Sequence, residues 1–353
     1  MNVLQNVIPG PELQVEGQTY LYFGGTSYLG MQTDPEFLRL LARYTRQIGS
    51  HLGASRTGNI QLGTYEHAEK SLAKWIASPS CLTLSSGFLA ARLLADYFRA
   101  LEHPCFFSPN CHEALLPVGT QRSPDWETLY HAVEDCPEKL SGTLPVVFTD
   151  TMGSSTHAGP VWEQLQGLPR ACILVADDSH GLGIVGADGS GSWKTIAAMG
   201  FNELVLCGSL GKALGITSGV VSGLETRIAA LRKTGFFAGA SPAPPAGLAA
   251  MAEALEEGWY LKKFRRLIES VTFLRQQTGH LKFLNFSSDY PVITFRNRPL
   301  SKYLLENKVL ITDFQYAAEG GATSPSRIVI SSAHQDTHLR SLVNLLLSFE
   351  ESA

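Results

Sequence analysis

The stretch Leu204-Val205-Leu206-Cys207-Gly208-Ser209-Leu210-Gly211-Lys212-Ala213-Leu214-Gly215 decides how the rest of the chain is understood. Its first four residues are apolar, a run of the length of a buried strand. Small residues follow, and among them stands a lysine. Small residues let a backbone or a bulky ligand come close. A lysine held there, partly shielded from water, reaches its neutral, nucleophilic form more easily. That chemistry suits a Schiff base with an aldehyde cofactor such as pyridoxal 5'-phosphate. A phosphate contact or a solvated turn would use the same residues, so the stretch alone leaves these open.

Working outward, similar apolar runs precede it. Cys81-Leu82-Thr83-Leu84, Pro104-Cys105-Phe106-Phe107, Pro145-Val146-Val147-Phe148-Thr149 and Ala171-Cys172-Ile173-Leu174-Val175-Ala176 all read as strands, and Gly219-Val220-Val221 adds another. Helical patterns lie between, over residues 65–77 and 88–99, with a helix-like piece over 113–118. Near-continuous apolar strands alternating with helices imply a mostly parallel sheet covered on both faces. In such sheets ligands bind beyond the carboxyl ends of the strands. Those ends carry Ser86-Gly87, His112, Asp150, Asp177, His180, Ser209 and Lys212.

The flanks differ. Residues 1–30 read as an irregular arm with a strand at Tyr20-Leu21-Tyr22-Phe23. Asp34-Pro35 is a helix start, an acidic cap with proline in the first turn. Phe37, Leu40, Leu41 and Tyr44 give that helix an apolar face. Residues 49–63 form a Gly- and Ser-rich loop around Arg56, a candidate functional surface or a solvated connection. After Pro242-Ala243-Pro244-Pro245, residues 246–278 read as one long helix. Strands at residues 290–295, 309–311 and 327–331, with helices over 301–307 and 337–350, read as a smaller α+β unit completed by the arm. The expected division is an arm and helix over 1–45, a large cofactor-binding domain over 46–240, and a linking helix with a small domain over 241–353.

Composition excludes several classes. The chain has 353 residues, 44% of them apolar, and a formal net charge of -4. The length suits a large α/β domain plus a smaller one. The charge gives no basis for nucleic acid as a partner. No apolar run is long enough to span a membrane. Residues 1–10 lack the basic and apolar blocks of a secretory signal. Six cysteines are scattered without a C-x-x-C pair. Buried free thiols in a reducing cytoplasm are therefore expected. No metal-ligand cluster and no repeat is visible.

Asp177-Asp178-Ser179-His180-Gly181-Leu182-Gly183, followed by Ser209-Leu210-Gly211-Lys212-Ala213-Leu214-Gly215, resembles the fold-type I pyridoxal phosphate enzymes. More narrowly it is similar to the α-oxoamine synthases, from about Tyr20 to Leu347. The resemblance implies that Lys212 holds the cofactor and later moves the substrate α-proton. It implies that Asp177 pairs with the pyridinium nitrogen and keeps it protonated, so that the ring can accept electrons. His180 would lie near the ring hydroxyl and His112 on the ring face. Ser86, Gly87 and Phe88 would hold the phosphate at a helix N-terminus, helped by Ser209 and by Ser241 from a partner subunit. Ser154 or Ser155 would touch the ring region. Arg327 would grip the substrate carboxylate, which suits its forked guanidinium.

Departures fall on the substrate side. The family usually has Asn-Asp-Tyr-Leu-Gly near its start, and this chain has Thr26-Ser27-Tyr28-Leu29-Gly30. No basic residue precedes Arg39. Gly53-Ala54-Ser55-Arg56 is similar to the family's acyl-CoA-side loop. The resemblance implies decarboxylative condensation of a small amino acid with an acyl thioester, like that of 8-amino-7-oxononanoate synthase in biotin synthesis. It also implies a homodimer with the site at the interface. An aminotransferase on the same fold, or a binding protein that has lost the chemistry, are the alternatives.

Overall fold

The structure is a computed structural model that describes residues 4–136, 143–153, 159–287, 290–313 and 325–352. The chain opens with two strands, β1 (Glu12–Val15) and β2 (Gln18–Phe23), joined by a tight turn at Glu16-Gly17. Both turn residues take positive φ, 51° and 77°, as a two-residue hairpin loop of matching twist requires. Next comes the helix Pro35–Ile48. Asp34 caps it by accepting from the Glu36 and Phe37 N–H groups, as the Asp-Pro pair predicts. Phe37 and Leu40 are buried, and Leu41 and Tyr44 pack against the core.

A six-stranded sheet forms the centre. Its strands are β3 (Ser80–Leu84), β4 (Cys105–Phe107), β5 (Val146–Asp150), β6 (Ile173–Asp177), β7 (Glu203–Ser209) and β8 (Gly219–Gly223), in the spatial order β3-β8-β7-β6-β5-β4. β4 to β7 pair in parallel, and β8 runs antiparallel to both its neighbours. All strands but β8 therefore point their carboxyl ends the same way. Buried apolar clusters fill both faces, as the uninterrupted apolar runs imply. This is the mostly parallel α/β sheet expected of the fold-type I class.

The later chain forms two small sheets. β9 (Asn285–Phe286), β10 (Val292–Phe295) and β12 (Ser326–Val329) pair antiparallel in the order β12-β10-β9. β11 (Val309–Ile311) instead pairs in parallel with β2, so the N-terminal arm completes the smaller C-terminal unit. The closing helix Asp336–Ser352 covers it.

Two expectations need correction. The helix foreseen over 246–278 is two helices, Pro245–Glu256 and Trp259–Thr278. Gly258 divides them at φ 73°, a left-handed turn that glycine adopts without a Cβ clash. The helix-like piece over 113–118 is a pair of turns, Leu115 N–H to His112 C=O and Leu116 N–H to Glu113 C=O. Pro117 lacks the N–H needed to carry them into a helix. Helices Trp126–Glu134, Trp162–Gly167, Trp193–Ala197, Glu225–Arg232 and Gly235–Gly239 were not foreseen.

Candidate active site

Asp150 ends β5, Asp177 ends β6 and Ser209 ends β7. Asp150 and Asp177 face each other across neighbouring strands. Burial first, and then the negative charge of Asp177, push the Asp150 carboxyl well above its usual range. Asp177 accepts from the Ser179 N–H at 2.8 Å through one oxygen. Its other oxygen meets no protein donor among the described residues. The adjacent Asp178 has a different task. It accepts from Thr151 Oγ1 at 2.7 Å and from the Ser192 N–H at 2.9 Å, and burial lifts it to about 6. It pins the following loop in place, and a Cβ at Gly191 would collide with its carboxylate.

Lys212 follows β7, and its Nζ lies 2.8 Å from His180 Nε2. Burial lowers the lysine from its ordinary value, against the pull of Asp177 and Asp150. Burial also lowers His180 well below the usual imidazole value, and Lys212, Arg327 and His112 add to it. Burial thus moves both neighbouring bases toward their neutral forms. An amine in that state can attack an aldehyde.

Ser86 caps the helix Gly87–Ala100, its Oγ accepting from the Leu89 N–H at 3.2 Å. The N–H groups of Gly87 and Phe88 donate to no protein acceptor among the described residues. Backbone donors at a helix start suit an anion such as a phosphate. A Cβ on Gly87 would lie 2.7 Å from the Ser209 Cβ, so only glycine lets this turn meet the end of β7. Ser209 is fixed there by its N–H, which donates to Ser179 Oγ at 2.8 Å. The unmatched oxygen of Asp177, the amine of Lys212 and the free N–H groups at Gly87-Phe88 are what a phosphorylated pyridine aldehyde would need. The residues fit that group.

His112 stands exposed at the rim, its N–H donating to Asp150 Oδ1 at 2.9 Å. Arg327 lies on β12, and its charge reaches His180 and Tyr290. Ser241 is exposed and makes no hydrogen bond to these residues. Ser154 lies outside the described residues.

The reading of Arg56 as part of a functional surface needs correction. Its side chain is buried, bonds Glu69 Oε1 at 2.6 Å and lies over the Tyr65 ring at 4.2 Å. Residues not singled out for a role also reach the site. The Tyr28 hydroxyl lies 2.9 Å from His180 Nδ1, and the Tyr290 hydroxyl 3.4 Å from the His180 carbonyl oxygen. Gln32 donates to the carbonyls of Gly211, at 2.9 Å, and of Lys212. Tyr28 stood inside a recognisable motif, but Gln32 carried no local signal.

Known proteins resemble the chain in both sequence and fold. The family model described as aminotransferase class I and II matches residues 114–346, more than half of the chain. The chain is 26% identical to 8-amino-7-oxononanoate synthase of Dechloromonas aromatica (strain RCB), covering 94% of this chain and 90% of that one. It is likewise 26% identical to the synthase of that name from Stutzerimonas stutzeri (strain A1501), over 96% and 89%. In fold it is similar to the Sphingomonas wittichii serine palmitoyltransferase, with TM-score 0.83, 16% identity, and coverage of 99% and 92%. The 8-amino-7-oxononanoate synthase from Francisella tularensis gives TM-score 0.71 at 18% identity, over 94% and 98%. The sheet order, the residues gathered at its carboxyl edge and the match over residues 114–346 lead to one conclusion: the chain belongs to the aminotransferase class I and II family.

Proposed function

We propose that the protein is a pyridoxal phosphate-dependent acyltransferase of the α-oxoamine synthase type. It joins a small amino acid to an acyl thioester and releases carbon dioxide and the free thiol, leaving an α-amino ketone. The observation that carries this reading is the contact of Lys212 with His180 beside Asp177 at the ends of β6 and β7. The relatives named above, similar over most of the chain, make 8-amino-7-oxononanoate synthase the activity we favour.

When bound, pyridoxal phosphate supplies a ring that withdraws electrons from the amino acid's α-carbon. The chain's residues do the rest. Ser86, Gly87, Phe88 and Ser209 would hold the phosphate. Asp177 would offer its unmatched oxygen to the ring nitrogen, and His180 and His112 would orient the ring. Lys212 Nζ takes the proton from the α-carbon. Arg327 holds the substrate carboxylate until carbon dioxide leaves. We infer a homodimer in which a second copy covers the exposed rim at Phe88 and His112 and brings Ser241 near. We propose a cytoplasmic enzyme in which, among the described residues, no helix is long and apolar enough to cross a membrane.

The test is to offer glycine, alanine and serine in turn, with and without acyl-CoA, and to measure carbon dioxide and thiol. Release of both from one amino acid, only with the thioester, is expected. Exchange of the amino group with a keto acid, without thioester, would make the protein an aminotransferase instead.

A further inference from the structure

The N-terminal arm reaches the lysine by two routes. Tyr28 is 2% exposed, and residues 27–30 are tied to the loop after β12. Ser332 donates to the Tyr28 and Leu29 carbonyls, and Ser331 Oγ donates to the Ser27 carbonyl. Gln32, on the same arm, holds the backbone carbonyls of Gly211 and Lys212, while its own oxygen accepts from Ser27 Oγ. The Tyr28 hydroxyl is thereby set 2.9 Å from His180 Nδ1, and His180 Nε2 lies 2.8 Å from Lys212 Nζ.

A neutral imidazole carries its proton on one nitrogen, chosen by the bond that the other makes. With the proton on Nδ1, Nε2 would accept from Lys212 and favour the ammonium. With the proton on Nε2, it would favour the uncharged amine. The groups around the pair leave this choice to Tyr28. Burial first, and then Lys212, Arg327 from β12 and His112 from the rim, push His180 toward its neutral form, and burial lowers Lys212 against the pull of Asp177 and Asp150. Tyr290, pushed well above the ordinary phenol range by burial, keeps its proton and donates it to the His180 carbonyl oxygen at 3.4 Å. At 2.9 Å a phenol O–H is a better donor than a neutral imidazole N–H, and an imidazole nitrogen a better acceptor than a phenol oxygen, which favours donation from Tyr28 to Nδ1.

We propose that Tyr28 is a positioning residue: by donating to His180 Nδ1 it keeps the imidazole proton on Nε2, facing Lys212, and so holds the lysine as a free amine. The proposal rests on the reading of Lys212 as the residue that takes up the cofactor aldehyde.

Two measurements test it. In the full chain labelled with nitrogen-15 histidine, the His180 signals are identified by their loss in His180→Gln and read for tautomer at neutral pH. A proton on Nε2 is expected, and one on Nδ1 or on both nitrogens overturns the proposal. Next, the full chain freed of bound aldehyde is mixed with pyridoxal 5'-phosphate, reduced with borohydride, and its Lys212 peptide weighed at a series of pH values. Tyr28→Phe should move the midpoint of labelling up by about one pH unit, a roughly tenfold loss well below it. Slower labelling with an unmoved midpoint would mean packing alone and overturns the proposal. No label on wild-type Lys212 would refute the cofactor reading, and the tautomer measurement would still decide the role of Tyr28.

Discussion

The molecule buries charge in two places and treats it in opposite ways. Around Glu69, two guanidiniums close on one carboxylate. Arg56 lies at 2.6 Å and Arg232 at 2.5 Å, and Thr83 donates its N–H and hydroxyl at 2.8 Å. Burial alone would raise Glu69, but the bonds and charges of both arginines outweigh it and hold it below the usual carboxylate range. At the ends of β5 to β7, by contrast, Asp150 is pushed up while His180 and Lys212 are pushed down. Polar atoms of Asp177, Gly87 and Phe88 there lack protein partners among the described residues. Matched charge anchors a loop to the sheet. Charge left unmatched favours chemistry and the binding of a ligand.

Removing the lysine should break the contrast most sharply. Lys212→Ala is expected to cut turnover by about 10³-fold or more, since both carbonyl capture and proton transfer are lost. Its melting temperature should stay level or rise, because a desolvated amine is gone. A steady-state assay with a parallel thermal melt checks both halves. Glu69→Ala should do the reverse. It leaves Arg56 buried without its counter-charge and should cost about 3–5 kcal/mol of stability, measured by urea unfolding. Turnover per folded molecule should survive it.

A third buried group gives the contrast a pH window. His334 fastens the arm, accepting from the Ser331 N–H through Nδ1 and bonding the Tyr22 carbonyl through Nε2, stacked on Phe23. Burial lowers it from 6.5 to about 4. The unfolded chain therefore binds this proton first. The stability it contributes is complete above about pH 6.5 and drains away as pH falls toward about 4. The loss is on the order of 3 kcal/mol, and a ring that cannot titrate, as in His334→Phe, should flatten the pH dependence of unfolding across that window. Arg327→Gln should have the smallest effect. We expect roughly a 10–100-fold rise in KM for the amino acid from the lost charge-assisted bonds, with little change in melting temperature.

Much of this was legible in the chain because parallel strands covered on both faces must be apolar throughout. β3, β5, β6 and β7 stand out for that reason, and the residues just after them mark one edge of the sheet. The capped start at Asp34-Pro35 was equally local. The short helix Glu225–Arg232 was not, because two buried residues, Ile228 and Leu231, set no clear period. Arg56 looked like a surface residue because its partners lie 13 and 27 positions further on, at Glu69 and Thr83. Gln32 looked like a loop residue because the carbonyls it holds belong to Gly211 and Lys212, 179 and 180 positions away.

Sequence by itself determined the sheet and the edge at which polar residues gather, and it set Lys212, Asp177 and His180 beside that edge. Those follow from periodicity and from residue types beside strand ends, which are properties of neighbours in the chain. Tertiary structure decided which charges are matched, which nitrogen of His180 faces Lys212, and that the arm reaches across to hold the lysine loop. Those depend on atoms within about 3 Å of each other, the range over which a hydrogen bond forms, and segments far apart in the chain come that close only in the folded molecule.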